Sequence, residues 1–239
     1  TSGSEITLSG PSRRRNRALF LGELSLFGEL RPVRGLLAMV LAGAQSGRNL
    51  VVVPGSQRWE AQLVPGMQVV GADHLKDVIT WWVQGKVPET EAYSVPAAED
   101  ANLEARRRAL NHLWATLEGM PLLRKAALVA TAGGHNLLMT GSPGTGKTRL
   151  ARILGDLQAP LSSREALDVT RIHSAAGALT RSALVHKRPF RAPHHSITRA
   201  GLVGGGSGLR PGEVTLAHGG MLFLDELAEF APGVLDVLR

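Results

Sequence analysis

Two short segments hold the residue types from which phosphate chemistry is built. Gly141-Ser142-Pro143-Gly144-Thr145-Gly146-Lys147-Thr148 fits the pattern G-x-x-x-x-G-K-[ST], and Asp225-Glu226 closes the apolar run at 221–224. Glycine lets a backbone wrap until successive N–H groups converge on one anion, and a helix starting there adds the partial positive charge of its N-terminus. Lys147 is then placed for the β- and γ-phosphates of ATP, and the Thr148 hydroxyl for Mg²⁺. Such a loop needs partner carboxylates to organise the metal and the attacking water. Asp225 is the candidate Mg²⁺ ligand, and Glu226, with Lys147, the candidate catalytic group. The bland alternative is a glycine-rich turn ahead of an ordinary helix. An apolar run followed by two acids is common by itself, and its place downstream of the loop is what favours phosphate chemistry.

Positioning these groups needs strands and helices on both sides. "HNLLMT" at 135–140 is expected as a buried strand, "TRLARILGDL" at 148–157 as a helix, and "MLFLDE" at 221–226 as a second strand with the acids at its end. Ahead of them, 121–134 reads as a helix with Pro121 in its first turn and Gly133 and Gly134 as its stop. Residues 17–85 alternate short apolar strands with helical stretches and form a small α/β unit. In its last helix Asp73 is placed to cap, Gly85 to terminate, and Leu75, Val78, Ile79 and Trp82 fall on one face. The tryptophans are expected in the core. Residues 86–102, acidic and with two prolines, read as a linker. The chain therefore divides into 1–85, a linker at 86–102, and 103–239. No internal repeat is evident.

Composition bounds the classes available. The chain has 239 residues, 44% of them hydrophobic, which suffices for one large or two small cores. No apolar run approaches the length of a membrane span, and the first residues lack the apolar centre of a signal peptide. A soluble cytoplasmic protein with no membrane partner is the expectation. There is no cysteine, which removes disulfides, thiolate metal sites and Cys nucleophiles, so any metal must be held by oxygen or imidazole.

The net charge of +7 suits a polyanionic partner. Its distribution says more. From Val169 to Gly212 the chain carries Arg171, Arg181, Lys187, Arg188, Arg191, Arg199 and Arg210 without one Asp or Glu. Gly204-Gly205-Gly206-Ser207-Gly208 lies in this stretch and is too flexible for a core. Arg191, Arg199 and Arg210 are candidate contacts to DNA phosphates, against the alternative of a solvated loop with salt-screened arginines. Phe190 is the one aromatic ring nearby, so base stacking is not expected and little sequence specificity follows. Adjacent histidines point different ways on regular backbone, which makes His194-His195 a poor metal site unless a carboxylate comes near.

Three stretches together resemble the Mg-chelatase-like AAA+ ATPases of the YifB/ComM family: "GGHNLLMTGSPGTGKTRLA", "RPFRAPHHSITRAGLVGGGSGLRPGEVTLAHGGMLFLDELAEF" and "FLGELSLFGELRPVRG". The resemblance runs from about Leu19 to Arg239. It implies an α/β P-loop AAA+ core, an incomplete parallel sheet with flanking helices, preceded by part of a Lon-protease-like α/β domain. It also implies a ring, hexameric when intact, that binds ATP and Mg²⁺ and acts on DNA by branch migration in transformation. A metal-chelatase motor is the alternative, and a nucleotide-binding module without turnover a further one. Departures from the family pattern matter. Leu37 occupies the position of the lysine in the Ser-Lys dyad of Lon proteases, so peptidase activity is not expected. Leu117-Glu118-Gly119-Met120-Pro121 replaces the Asp-Val-Arg/Lys-Gly-Gln element that lies near adenine in relatives. Sensor residues, the arginine finger and the helical lid lie downstream in relatives, so the chain is expected to be a fragment.

Overall fold

The structure is a computed structural model that describes residues 18–84, 86, 111, 115, 117, 119–142, 144–179, 184–206 and 210–238. Its contacts fall into two compact units. The first comprises Thr1–Pro96 with His173–Ala183, and the second Ala97–Ile172 with Leu184–Arg239.

In the first unit, strands β1 (Leu19–Phe20), β4 (Leu50–Pro54) and β5 (Gln68–Ala72) form a parallel sheet in the order β1-β4-β5. β4 is central and wholly buried, which is why "LVVVP" is a continuous apolar run and does not alternate. A hairpin of β2 (Glu23–Leu24) and β3 (Leu30–Arg31) follows β1. Helix α1 (Leu36–Gln45) buries Leu36, Leu37 and Val40 and presses Gly43 against β1, where a Cβ would stand 2.6 Å from Leu19 Cδ2. A short helix α2 (Arg58–Ala61) carries the buried Glu60, whose Oε1 accepts from Leu37 N at 3.1 Å and from the Ser174 hydroxyl, while its Oε2 accepts from Gln57 Nε2 at 3.1 Å. Glu60 thereby satisfies an amide that the first turn of α1 leaves unbonded.

Helix α3 (Leu75–Gln84) differs from expectation in two ways. Its first turn is served by His74, whose Nδ1 accepts from Lys76 N at 3.1 Å, and not by the side chain of Asp73. Its buried residues are Val78 and Trp81, with Trp82 half-buried against the same core; Leu75 and Ile79 are exposed. The sheet selects the stripe, and the wide indole of Trp81 draws the helix round to cover Val52 and Val70. Trp59 is also buried. Gly85 and nearly all of 86–102 lie outside the described residues.

In the second unit, α4 (Pro121–Gly133) has Pro121 in its first turn and ends at Gly134, which is left-handed at φ 63°. α5 (Lys147–Leu157) begins directly after Gly146 and buries Leu150, Ala151, Ile153 and Leu154. α6 (Ser163–Ala176) follows, with its residues from His173 onward belonging to the first unit. β6 (Phe190–Arg191) and β9 (Met221–Leu222) pair in parallel, Phe190 opposite Met221 and Arg191 opposite Leu222. Between them lie α7 (Arg199–Val203), a two-residue-per-strand hairpin of β7 (Gly204–Gly205) and β8 (Arg210–Pro211), and α8 (Glu213–Leu216). α9 (Pro232–Leu235) packs Val234 with Phe230 and Leu202. The whole is mixed α/β with parallel pairing in both units.

The expected strand at 135–140 is not one. It has no regular structure and no pairing partner among the described residues, and Leu138 is 76% exposed. A strand is defined by its neighbours' hydrogen bonds, and apolar character alone does not supply them. Met139 still packs with Leu150, Leu154 and Met221, so the segment is anchored where it enters the loop. No helix among the described residues is long and apolar enough to cross a membrane.

Candidate functional site

The glycine-rich loop closes as its spacing requires. Gly144 and Gly146 take φ of 78° and 87°, a region that costs residues with a Cβ, and a Cβ at either would meet nothing within 4 Å. Open space therefore adjoins the loop at both glycines. Leu150 N bonds Gly146 O at 2.9 Å, so α5 starts at once and leaves the amides of its first turn without helical partners. Lys147 Nζ donates to the carbonyls of Gly141 and Ser142, both at 2.9 Å, and Thr145 Oγ1 donates to Ser142 O at 2.9 Å. The ammonium rests on the loop's own oxygens, and Ser142 is tied into the turn. Pro143 lies outside the described residues.

The two motifs meet. Thr148 Oγ1 donates to Asp225 Oδ2 at 2.7 Å across 77 residues of sequence. Packing explains the contact: Met139, entering the loop, and Met221 of β9 join Leu150 and Leu154 of α5 in one cluster. Phe190 of β6 lies against Gly155 of the same helix, where a Cβ would come within 2.9 Å of its ring. Asp225 and Glu226 stand in the turn that follows β9, which is half-buried and shorter than expected. Asp225 Oδ1 accepts from Glu226 N at 3.1 Å. Glu226 is the one non-glycine residue with positive φ among the described residues, at 53°.

These groups fit a nucleotide triphosphate with Mg²⁺. Thr148 Oγ1 and Asp225 Oδ2 are hard oxygen donors already side by side, the kind of pair this cation takes through one hydroxyl and one carboxylate. The backbone amides of the loop and one ammonium would be the anion's partners.

The basic residues separate into different roles. Arg191 makes a forked pair with Glu213, Nε to Oε2 at 2.6 Å and Nη2 to Oε1 at 2.7 Å, and this pairing raises its already high pKa. Arg199 and Arg210 are exposed, and Arg199 lines an open cavity of about 670 Å³ with Ala200, Val203, Gly204 and Val237. Arg188 is structural: it donates to Ala159 O, Gly219 O and Glu165. Glu165, which accepts from the amide and hydroxyl of Ser162 and then from Arg188, has its pKa lowered to about 2.

Reasoning from the sequence missed the surroundings of the histidines. Carboxylates do come near: His195 Nδ1 lies 3.5 Å from Glu226 Oε2 and 3.3 Å from Glu229 Oε2. The spacing Glu226-x-x-Glu229 was visible, but the parallel pairing of β6 with β9 that brings it to His195 was not. Glu213 as the partner of Arg191 was missed for the same reason.

A G-x-x-x-x-G-K-[ST] loop whose threonine bonds an acid just beyond β9 of a parallel pair, in a mixed α/β fold, is the arrangement of the P-loop class. Comparison with known families narrows this. Residues 114–239 match the family "Magnesium chelatase, subunit ChlI", and residues 6–57 match "Subunit ChlI of Mg-chelatase". An uncharacterized Mycobacterium tuberculosis protein is 43% identical over 236 residues, covering 96% of this chain and 44% of that protein. Escherichia coli YifB is 40% identical over 219 residues, 92% of this chain and 41% of YifB. The competence protein ComM of Haemophilus influenzae is 38% identical over 221 residues, 92% of this chain and 42% of ComM. The chain belongs to the Mg-chelatase-like family that includes YifB and ComM, and it spans less than half the length of these relatives. The family as a whole uses nucleotide and Mg²⁺.

Proposed function

We propose that the chain is the nucleotide-binding part of an AAA+ ATPase that acts on DNA. The observation that carries this is the 2.7 Å bond from Thr148 to Asp225, which joins the loop to the acid that a P-loop ATPase needs beside it. The loop amides and the first turn of α5 receive the phosphates of ATP. Lys147 leaves the carbonyls of Gly141 and Ser142 to meet the β- and γ-phosphates, exchanging two neutral acceptors for charged ones. Thr148 and Asp225 would hold Mg²⁺, which would supply charge neutralisation at the terminal phosphates. Glu226 orients and polarises the attacking water. The exposed Arg199 and Arg210 supply the DNA contacts; Arg191, held by Glu213, contributes by fixing α8 beside β6. DNA as the target is supported by the likeness to the competence protein ComM. The first unit is proposed as part of a Lon-protease-like domain without peptidase activity, since the buried Leu37 stands where a catalytic lysine would be.

The test is nucleotide binding by calorimetry with ATP and Mg²⁺. Wild type is expected to bind, Lys147→Ala to lose at least about tenfold in affinity, and Asp225→Asn to lose its response to Mg²⁺. Equal affinity in all three proteins would refute the assignment. The chelatase name of the matched family supports a second reading, a motor acting on a tetrapyrrole-metal enzyme. Hydrolysis by the full-length protein that rises with single-stranded DNA selects the first, and hydrolysis indifferent to DNA the second.

A further inference from the structure

We propose that His195, Glu226 and Glu229 form a site for one divalent transition-metal ion of the zinc class, and that its occupation withdraws Glu226 from water activation. Three ligand atoms, one imidazole nitrogen and two carboxylate oxygens, lie within 4.8 Å of one another. The nitrogen is 3.5 Å from one oxygen and 3.3 Å from the other. Those separations are longer than the roughly 2.7–2.9 Å of a charge-assisted hydrogen bond. They match the edge, about 3.3–3.6 Å, of a tetrahedron whose ligands stand about 2.0–2.2 Å from a central zinc ion. The third separation, between the two carboxylate oxygens, is within 4.8 Å, and both acids are exposed enough to close it on an ion.

The fold builds this arrangement. Parallel pairing of β6 with β9 sends the segments after both strands out of the same end of the sheet, and Phe223 N bonded to Arg191 O at 2.8 Å extends the pairing toward the two turns. Positive φ at Glu226 and the bond from Glu229 N to Glu226 O at 2.8 Å curl the chain so that both acids face His195. Their side chains are 61% and 55% exposed, which leaves them free to close on an ion and leaves a fourth position for water. An imidazole among the donors selects zinc-class ions over Mg²⁺, which prefers oxygen and retains its waters. His194 is not a ligand in this geometry: its Nδ1 is turned to Ser196 Oγ at 2.9 Å, and its ring lies beside that of His195 with centroids 4.0 Å apart.

Metal binding stands independently of the ATPase assignment; only its inhibitory consequence rests on Glu226 polarising water. Zn²⁺ is titrated into tag-free protein by calorimetry, and Co²⁺ binding is followed through its visible absorption, each in excess Mg²⁺. One equivalent is expected, with tetrahedral Co²⁺ bands. His195→Gln and Glu229→Gln should each weaken it by about tenfold or more, and His194→Gln and Lys147→Ala should leave it unchanged. Far-UV circular dichroism checks each fold; if His195→Gln fails to fold, the exposed Glu229→Gln carries the test. Absence of a stoichiometric site, or a site retained in both ligand variants, overturns the proposal. Zinc bound through His195 by a protein that binds no ATP would leave the metal site standing and remove the ATPase reading; ATP bound without zinc would do the reverse.

Discussion

Gly220 is the point at which the strand pair that assembles the site is most vulnerable. A Cβ added there would stand 2.0 Å from Pro189 O, 2.7 Å from Pro189 N and 2.8 Å from Pro189 C, where real Cβ contacts essentially never fall below 3.0 Å. All three atoms are backbone, so no side chain can swing aside. Gly220 is not among the positive-φ glycines, and the effect of Gly220→Ala therefore comes from this contact alone. To admit the methyl group, the chains must part by about 1 Å at this point. That separation breaks Met221 N to Pro189 O and Phe223 N to Arg191 O, both at 2.8 Å. Two lost hydrogen bonds at about 1 kcal/mol each, with about 1–3 kcal/mol of overpacking strain, give a destabilisation of about 3–5 kcal/mol. Set against a typical total of about 5–15 kcal/mol, that is a large share of the unit's stability. Urea denaturation followed by far-UV circular dichroism reads it directly, with Gly233→Ala in α9 as the control because its Cβ would meet nothing within 4 Å. Coincident midpoints for Gly220→Ala and Gly233→Ala would show that the β6–β9 contact is not what holds this region together.

Two further outcomes follow from buried and paired carboxylates. Glu60→Ala removes the acceptor for Leu37 N and the Ser174 hydroxyl, while Gln57 Nε2 keeps its 2.8 Å bond to Val33 O; a loss of about 2–5 kcal/mol is expected in thermal melting, and Glu60→Gln should lose less. A Glu60→Ala protein that melts with wild type would remove Glu60 from the account of the first unit. Glu165, lowered to about 2 by the amide and hydroxyl of Ser162 and by Arg188, is ionised in the folded state below the pH at which it protonates in the unfolded chain. Its contribution is complete above the ordinary glutamate value of about 4.3 and is lost as pH falls toward 2, so acid titration of stability should be shallower in Glu165→Gln over that interval. Identical acid profiles for the two proteins would contradict the hydrogen bonds drawn around Glu165.

What could be read in advance was local chemistry. The glycine-rich loop, the helix starting at Lys147, Pro121 opening α4 and Gly134 closing it are each fixed by residues within a few positions of one another. The central strand β4 declared itself by a run with no polar interruption. Leu75 and Ile79 misled because helical spacing names a stripe, and which part of it is buried depends on the sheet beneath. The stretch 135–140 misled because apolar residues qualify a segment to be a strand without providing the neighbour that makes it one.

The site itself depends on both kinds of information. Each half of the Thr148–Asp225 contact is visible as a motif, and their meeting follows once a P-loop is accepted, since the chemistry needs the acid there. Nothing comparable announces His195. It lies in a segment without regular structure, about thirty residues before its carboxylates, and it reaches them only because two strands of two residues each run in the same direction in one register. Parallel register is set by what packs on the strands, here Phe190 on Gly155 and Met221 on Leu150 and Leu154, and not by any turn between them. A shift of that register by one residue would carry His195 about 3.3 Å along the strand. Glu226 and Glu229 would then be out of its reach, while the bond from Thr148 to Asp225, made through α5 and β9, would survive. The Thr148–Asp225 contact and the His195–Glu226–Glu229 cluster are therefore separable features of one fold.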